Sequence, residues 1–220
     1  MNFSFQRISL LAALVFLIPA CGYSIAELKN MAGEGNVLAQ FDLGQSYRLG
    51  YGVEPNKEEA FKWYLKSAEG GLPDAQHHVG VCYAKGFGVE RDYQKAREWY
   101  LKSAENGYPL AFSKLGLVYL KGLGVPKDPQ EAAKWYKQGV EKNVQSSLLT
   151  YGVMHMNGEG VERDYVKAYD LLTRARRHGG DTDLARGARI MLDKLISKMS
   201  EEEKDRAGVS PIPSWIFDPP

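Results

Sequence analysis

The chain has 220 residues, 44% of them hydrophobic and 25% charged, with a formal net charge of +1. That length holds one or two ordinary domains, and the composition is that of a folded chain rather than a disordered one. Beyond residue 20 the charges balance at 27 Lys and Arg against 27 Asp and Glu, without the basic excess of a nucleic-acid binder, and Cys21 and Cys82 alone build no disulfide framework.

Residues 8–20, "ISLLAALVFLIPA", form an apolar run interrupted only by Ser9, preceded by Arg7 and closed by small residues. The run is too short to span a bilayer and reads as a secretory signal over residues 1–20, which places the mature chain in a periplasm. Two processing routes stay open. Ile18-Pro19-Ala20-Cys21 resembles a bacterial lipobox, with Pro19 a departure from the usual second residue; Cys21 would then be lipidated, and Gly22 after it fits anchoring to the outer membrane. Ordinary cleavage after Ala20, or after Ala26, is the other route. Residues 21–38 are expected to form an N-terminal capping helix, with Ala32 and Gly35 near the phase that Ala68 and Gly71 hold in the repeats that follow.

From residue 39 the chain repeats every 36 residues. Gly52, Gly88, Gly124 and Gly160 keep that spacing without a gap, as do Val53, Val89, Val125 and Val161, and Ala60, Ala96, Ala132 and Ala168. A constant period of this size marks a solenoid of supersecondary units. The boundaries are 39–74, 75–110, 111–146 and 147–182. A lone Gly-x-Gly before a helix suggests a phosphate loop, but four copies in phase are four copies of one turn.

Each copy reads as two helices. In the first, Ala39, Leu43 and Tyr47 share one face, and Gly44 recurs as Gly80, Gly116 and Gly152, which predicts close approach of a neighbouring helix. Gly50, Gly86, Gly122 and Gly158 suit the left-handed residue that ends a helix. Asn56, Asp92, Asp128 and Asp164 are placed to cap the second helix. Glu59 and Glu131, three residues after Asn56 and Asp128, have capping-box spacing, and Pro129 suits a first helical position. The Trp-Tyr pairs 63–64, 99–100 and 135–136, with Leu171-Leu172 in the fourth place, are expected on the buried face of the second helix. Gly71, Gly107, Asn143 and Gly179 end it.

The pattern A-x-x-x-L-G-x-x-Y-x-x-G-x-G-V…D-x-x-K-A-x-x-W-Y-x-K-S-A-E-x-G resembles the Sel-one-like repeat family over residues 39–182. The fourth copy departs from it, with His155 in the tyrosine position. The resemblance implies an all-α fold, a right-handed α/α superhelical solenoid of four 36-residue repeats with capping helices. Residues 183–207 are expected to supply the C-terminal caps, with a capping box at Ser200 and Glu203 starting a short helix that ends about Ala207. Residues 208–220 read as an extended Pro-rich tail carrying Trp215 and Phe217.

Catalytic chemistry is not expected. His77 and His78 face different ways on a helix and read as surface or half-buried. His78 and Cys82 are four apart, but a third metal ligand is not apparent, so neither a metal nor another cofactor is expected. Cys82 reads as a buried small apolar residue and His155 as a packed histidine. No nucleophile motif is present.

The side of the first helices opposite the repeat core is more informative. It reads Phe41, Gln45 and Arg48 in copy one, His77, Val81 and Ala84 in copy two, Ser113, Leu117 and Leu120 in copy three, and Leu149, Val153 and Met156 in copy four. This line becomes apolar toward the C-terminus. Val81, Leu117, Leu120, Leu149, Val153 and Met156 are therefore the candidate partner-binding residues. Trp215 and Phe217 are expected either to cover the line or to join it against a partner. The family resemblance implies an exported protein-binding adaptor. Foremost is a periplasmic immunity protein against an antibacterial effector delivered by type VI secretion, such as a phospholipase. The alternatives are an envelope scaffold for a flagellar motor or polysaccharide export and, further off, an enzyme or β-lactam-binding protein. The partner is another protein, not nucleic acid, and the membrane is met only through a lipid on Cys21.

Overall fold

The computed structural model describes residues 23–177 and 182–209, and every described element is an α-helix or a turn. The helices are α1 (Ile25–Gly33), α2 (Val37–Leu49), α3 (Lys57–Glu69), α4 (Pro73–Lys85), α5 (Tyr93–Glu105), α6 (Pro109–Lys121), α7 (Pro129–Glu141), α8 (Gln145–Asn157), α9 (Tyr165–Arg177), α10 (Asp183–Ile196) and α11 (Glu201–Ala207). Helices α2 to α9 are the four expected pairs, each first helix beginning two residues ahead of the Ala39 phase. The described residues divide into two compact units, one up to Trp99 and one from Tyr100, the division falling within the sequence of α5. The leader, Cys21, Gly179, Trp215 and Phe217 lie outside the described residues.

The loops follow from backbone needs. Gly50, Gly86, Gly122 and Gly158 end their helices in the left-handed region, at φ +79°, +69°, +69° and +73°. The second loop glycine has a further reason. A Cβ on Gly88 would run into the Lys57 carbonyl at the start of α3, and one on Gly160 into the Pro129 carbonyl at the start of α7. These two loops thus lie with their backbone against the second helix of the preceding repeat. Each capping residue also turns its own N–H back to the first helix, Asn56 to the Tyr47 carbonyl and Asp128 to the Tyr119 carbonyl at 2.9 Å, and Asp164 to the His155 carbonyl at 3.0 Å.

The caps form as expected. Asn56 accepts from the Glu59 N–H at 2.9 Å, Asp92 from Gln94 and Lys95 at 3.0 Å, Asp128 from Glu131 at 2.9 Å and Asp164 from Lys167 at 2.9 Å. The boxes at Asn56 and Asp128 are only half made, because Glu59 turns to Lys62 at 2.7 Å and Glu131 to Lys134 at 2.8 Å. Complete boxes stand at Ser200–Glu203 and, unforeseen in the sequence, at Ser24–Glu27.

In the first unit, Leu28, Ala32, Ala39 and Leu43 form one core, and Ala60, Phe61, Tyr64, Ala68, Ala75, Val79 and Cys82 form the next. Ala32 of α1 is buried, so this helix closes the N-terminal side as a half-repeat. In the second unit, α6 to α9 enclose Ala132, Tyr136, Leu148, Tyr151, Met154 and Leu171. A further core joins Met156, Ala168, Leu172, Leu192, Leu195 and Met199, bringing the C-terminal caps onto the last repeat.

Within each Trp-Tyr pair the burial is unequal. Tyr64, Tyr100 and Tyr136 are buried, whereas Trp63, Trp99 and Trp135 are only half-buried, correcting the expectation that both rings line the core. Consecutive helical residues point about 100° apart, so one of the pair must leave the core face. The Trp63 ring instead carries the Lys66 ammonium 4.2 Å from its centroid. The tyrosine lies on the first-helix glycine: a Cβ on Gly44 would be 2.7 Å from the Tyr64 ring. In the fourth repeat Leu172 takes that place over Gly152, at 3.0 Å.

Candidate interaction surface

The first-helix face is polar in the first unit. Tyr64 donates its hydroxyl hydrogen to Gln45 Oε1 at 2.7 Å, and Arg48 Nε donates to the same oxygen at 2.8 Å and to the Tyr64 hydroxyl at 3.2 Å. Burial pushes the Tyr64 phenol up to about 12, against the opposing charge of Arg48. The Phe41 ring meets the His78 ring edge to face, with centroids 5.0 Å apart. His78 Nδ1 bonds the Asp74 carbonyl at 2.9 Å. His77 is buried, not surface or half-buried as its sequence position implied. Val81 is half-buried on α4, and Cys82 is buried with its thiol pushed up to about 12 by that burial. Among the described residues no three or more His, Cys, Asp or Glu gather as a metal site.

In the second unit the face is apolar. Helix α6 buries Ala111, Phe112, Leu115, Gly116 and Val118, which leaves Leu117 38% exposed and Leu120 half-buried against the core of α6 to α9. Ser113 and Ser146 share a hydroxyl hydrogen bond of 2.8 Å that ties α6 to the start of α8. On α8, Leu149 and Val153 are half-buried.

Met156 does not belong to this surface. It is 2% exposed and packs among Ala168, Leu172, Leu192, Leu195 and Met199. The cause is α10, which lies along α8 and covers the end of the expected line. Gly187 of α10 sits over Leu149, so that a Cβ there would lie 3.7 Å from Leu149 Cδ2. Leu184 and Met191, three residues before and four after Gly187, share its side of α10. Leu184 is 37% exposed, and Met191 is half-buried against the same cluster as Val153. The apolar line therefore runs from Leu117 and Leu120 through Leu149 and Val153 to Leu184 and Met191. Sequence reasoning missed the last two because α10 has no repeat copy to fix its phase; their spacing of seven was the available signal.

His155 is buried as a packed residue. Its Nδ1 bonds the Glu162 carbonyl at 3.1 Å, and its ring meets Tyr151 edge to face at 4.7 Å. Burial, followed by the Lys167 charge, holds its pKa below the usual histidine range.

No helix among the described residues is long and apolar enough to cross a membrane. The Sel1 repeat family matches residues 37–72, 73–108, 111–144 and 147–180, nearly the helix-pair frame seen here. No curated protein matches the chain. Among solved structures it is similar to c5321, a protective antigen of uropathogenic Escherichia coli with an SLR fold, at 32% identity and a TM-score of 0.74 over 83% of this chain. The match spans only 38% of the antigen's chain. It is also similar to a Sel1 repeat protein of Oxalobacter formigenes, at 32% identity and a TM-score of 0.69, over 77% of this chain and 78% of that one. The immunity protein Pa5087 of Pseudomonas aeruginosa matches at 16% identity and a TM-score of 0.46 over 89% of this chain and 79% of that one, a likeness that carries no argument about function. With four matched repeats over the helix pairs described above, this chain belongs to the Sel1 repeat family.

Proposed function

We propose that this chain is an exported immunity protein that binds and neutralises an antibacterial effector, such as a phospholipase delivered by type VI secretion. Sel1 repeat proteins bind other proteins. The observation that carries the binding face is Leu117, left 38% exposed on a helix whose core is already filled by Leu115 and Val118. A partner seated there would extend over Leu120, Leu149, Val153 and Leu184. Export rests on the apolar run of residues 8–20, and anchoring on Cys21.

Capture from envelope extracts tests this reading, with Leu117→Glu as the probe that leaves the core alone. Recovery of a secreted lipase by the wild-type chain, its loss with Leu117→Glu, and rescue of growth when chain and lipase are expressed together are the expected results. Capture of a motor or polysaccharide-export component instead would replace immunity with an envelope scaffold. Fractionation should place the mature chain in the envelope, and a palmitate label that marks wild type but not Cys21→Ser would establish the lipid anchor.

A further inference from the structure

The end of α11 is closed and folded back onto the molecule. Gly208 takes the left-handed region at φ +65°; its N–H bonds the Asp205 carbonyl at 3.1 Å, and the Val209 N–H bonds the Lys204 carbonyl at 2.9 Å. These are the two hydrogen bonds of a Schellman motif, which usually brings an apolar residue back against the fold. Val209 does so: it is half-buried and packs against the cluster of Met156, Leu172, Leu192 and Met199. Leu149, Val153 and Met191 of the apolar line border the same cluster. The chain thus leaves α11 beside a core that the line also borders.

Residues 210–220, which lie outside the described residues, read "SPIPSWIFDPP". Asp218 is their only charged side chain, and Ile212, Trp215, Ile216 and Phe217 are large and apolar. Pro211, Pro213, Pro219 and Pro220 hold the backbone to extended conformations and donate no hydrogen bonds. Two residues apart on an extended chain, Trp215 and Phe217 share one side. The line has the complementary need, with Leu117 left 38% and Leu184 37% exposed. Joining the two removes both apolar surfaces from water.

The reach is sufficient. At about 3.1 Å per residue, the six residues from Val209 to Trp215 extend about 19 Å. Helix α8 is met by both α6 and α10. Packed helices lie about 8–10 Å apart, so crossing from α10 over α8 to α6 takes about 16–20 Å.

We propose that residues 210–220 of this same chain seat on the apolar line, with Trp215 and Phe217 against Leu120, Leu149 and Val153. The seat needs no partner. That a partner must displace the tail rests on the protein-binding reading above, and gives the face a cover built into its own chain.

Methyl NMR of the full chain and of a chain ending at Val209 tests the seat. Contacts from the Trp215 ring to the Leu120, Leu149 and Val153 methyls are expected in the full chain. A synthetic peptide of residues 210–220 should shift those methyls saturably in the shortened chain and leave them unmoved in the full one. Trp215→Ala combined with Phe217→Ala should lose the contacts while keeping the whole backbone, and carries the test if the shortened chain melts early. Identical methyl spectra along the line with and without the tail overturn the proposal. So do ring contacts that arise only between labelled and unlabelled chains in a mixed sample, which would seat the tail of a second copy there. Capture of the envelope partner should rise several-fold with the double variant. Capture that falls instead would make the two rings part of the partner contact and overturn the covering role. Loss of capture by every chain, with the ring contacts intact, would count against the protein-binding reading alone.

Discussion

A methyl group on Gly116 would sit 2.8 Å from three ring carbons of Tyr136. The two residues are 20 apart in sequence and define how closely α6 and α7 approach. Helix propensity alone would favour alanine at residue 116 by up to about 1 kcal/mol. Overpacking against a buried ring outweighs this, since forcing a core apart costs about 1 to 3 kcal/mol. Gly116→Ala should therefore lower the unfolding free energy in urea. A neutral or stabilising result would mean that the ring moves aside freely.

The two loop glycines should respond differently. Gly86 has φ +69° and only ordinary contacts around it, the nearest heavy atom to an added Cβ being 3.5 Å away on Arg91. Gly86→Ala should cost about 1 to 2 kcal/mol, the left-handed penalty alone. Gly88 has φ +66° as well as the Lys57 carbonyl in its way. Gly88→Ala must displace backbone and should cost clearly more in the same urea titration. Equal losses would remove the contact with α3 as the reason for the second glycine.

Leu117 and Met156 separate surface from core. Leu117→Glu should leave stability within about 0.5 kcal/mol and abolish capture of the partner. Met156→Glu buries a carboxylate among Leu172, Leu192 and Leu195, and should unfold the last repeat in thermal melting. A Met156→Glu chain that melts like wild type would return Met156 to the open face.

Stability should fall at both ends of the pH range. Burial pushes Cys82, Tyr64 and Tyr136 up to about 12, from usual values of 9.0 for the thiol and 10.0 for the phenols. The folded state then keeps protons that the unfolded chain gives up. Their contribution is complete below pH 9.0 and is lost progressively as pH rises toward 12. Cys82→Ala should delay the onset to about pH 10, read from urea midpoints against pH. His155 runs the other way. Its folded pKa lies below the usual 6.5, so its contribution is present above 6.5 and lost as pH falls through the folded value. His155→Phe should flatten that acid limb; an unchanged limb would place the acid sensitivity elsewhere.

What the sequence revealed, and what it hid, follows from where each constraint acts. Gly50, Asn56 and Asp128 answer needs of the local backbone, and these recur identically in every copy, so a period of 36 exposes them. Gly44 was legible for a similar reason: the approach of a buried ring or leucine is repeated at Gly116 and Gly152. Met156 was misplaced because a two-sided view of a helix fails in a stack. Helix α8 is flanked by α7 and α9 and also met by α6 and α10, so residues away from the repeat's own core can still be enclosed. Nothing repeats α10, and its cover over Leu149 could not be read from phase.

The meeting of Gly88 with Lys57, and of Gly160 with Pro129, is a joint between main chains. Such a joint is blind to what the neighbouring side chains are. Exposed positions can then drift, and a binding face can be rewritten residue by residue, while the angle between one repeat and the next stays where the backbone holds it. Novelty is easily accommodated on the outside of this architecture because alignment is kept by main-chain atoms, with a glycine at the joint as its one demand on side chains.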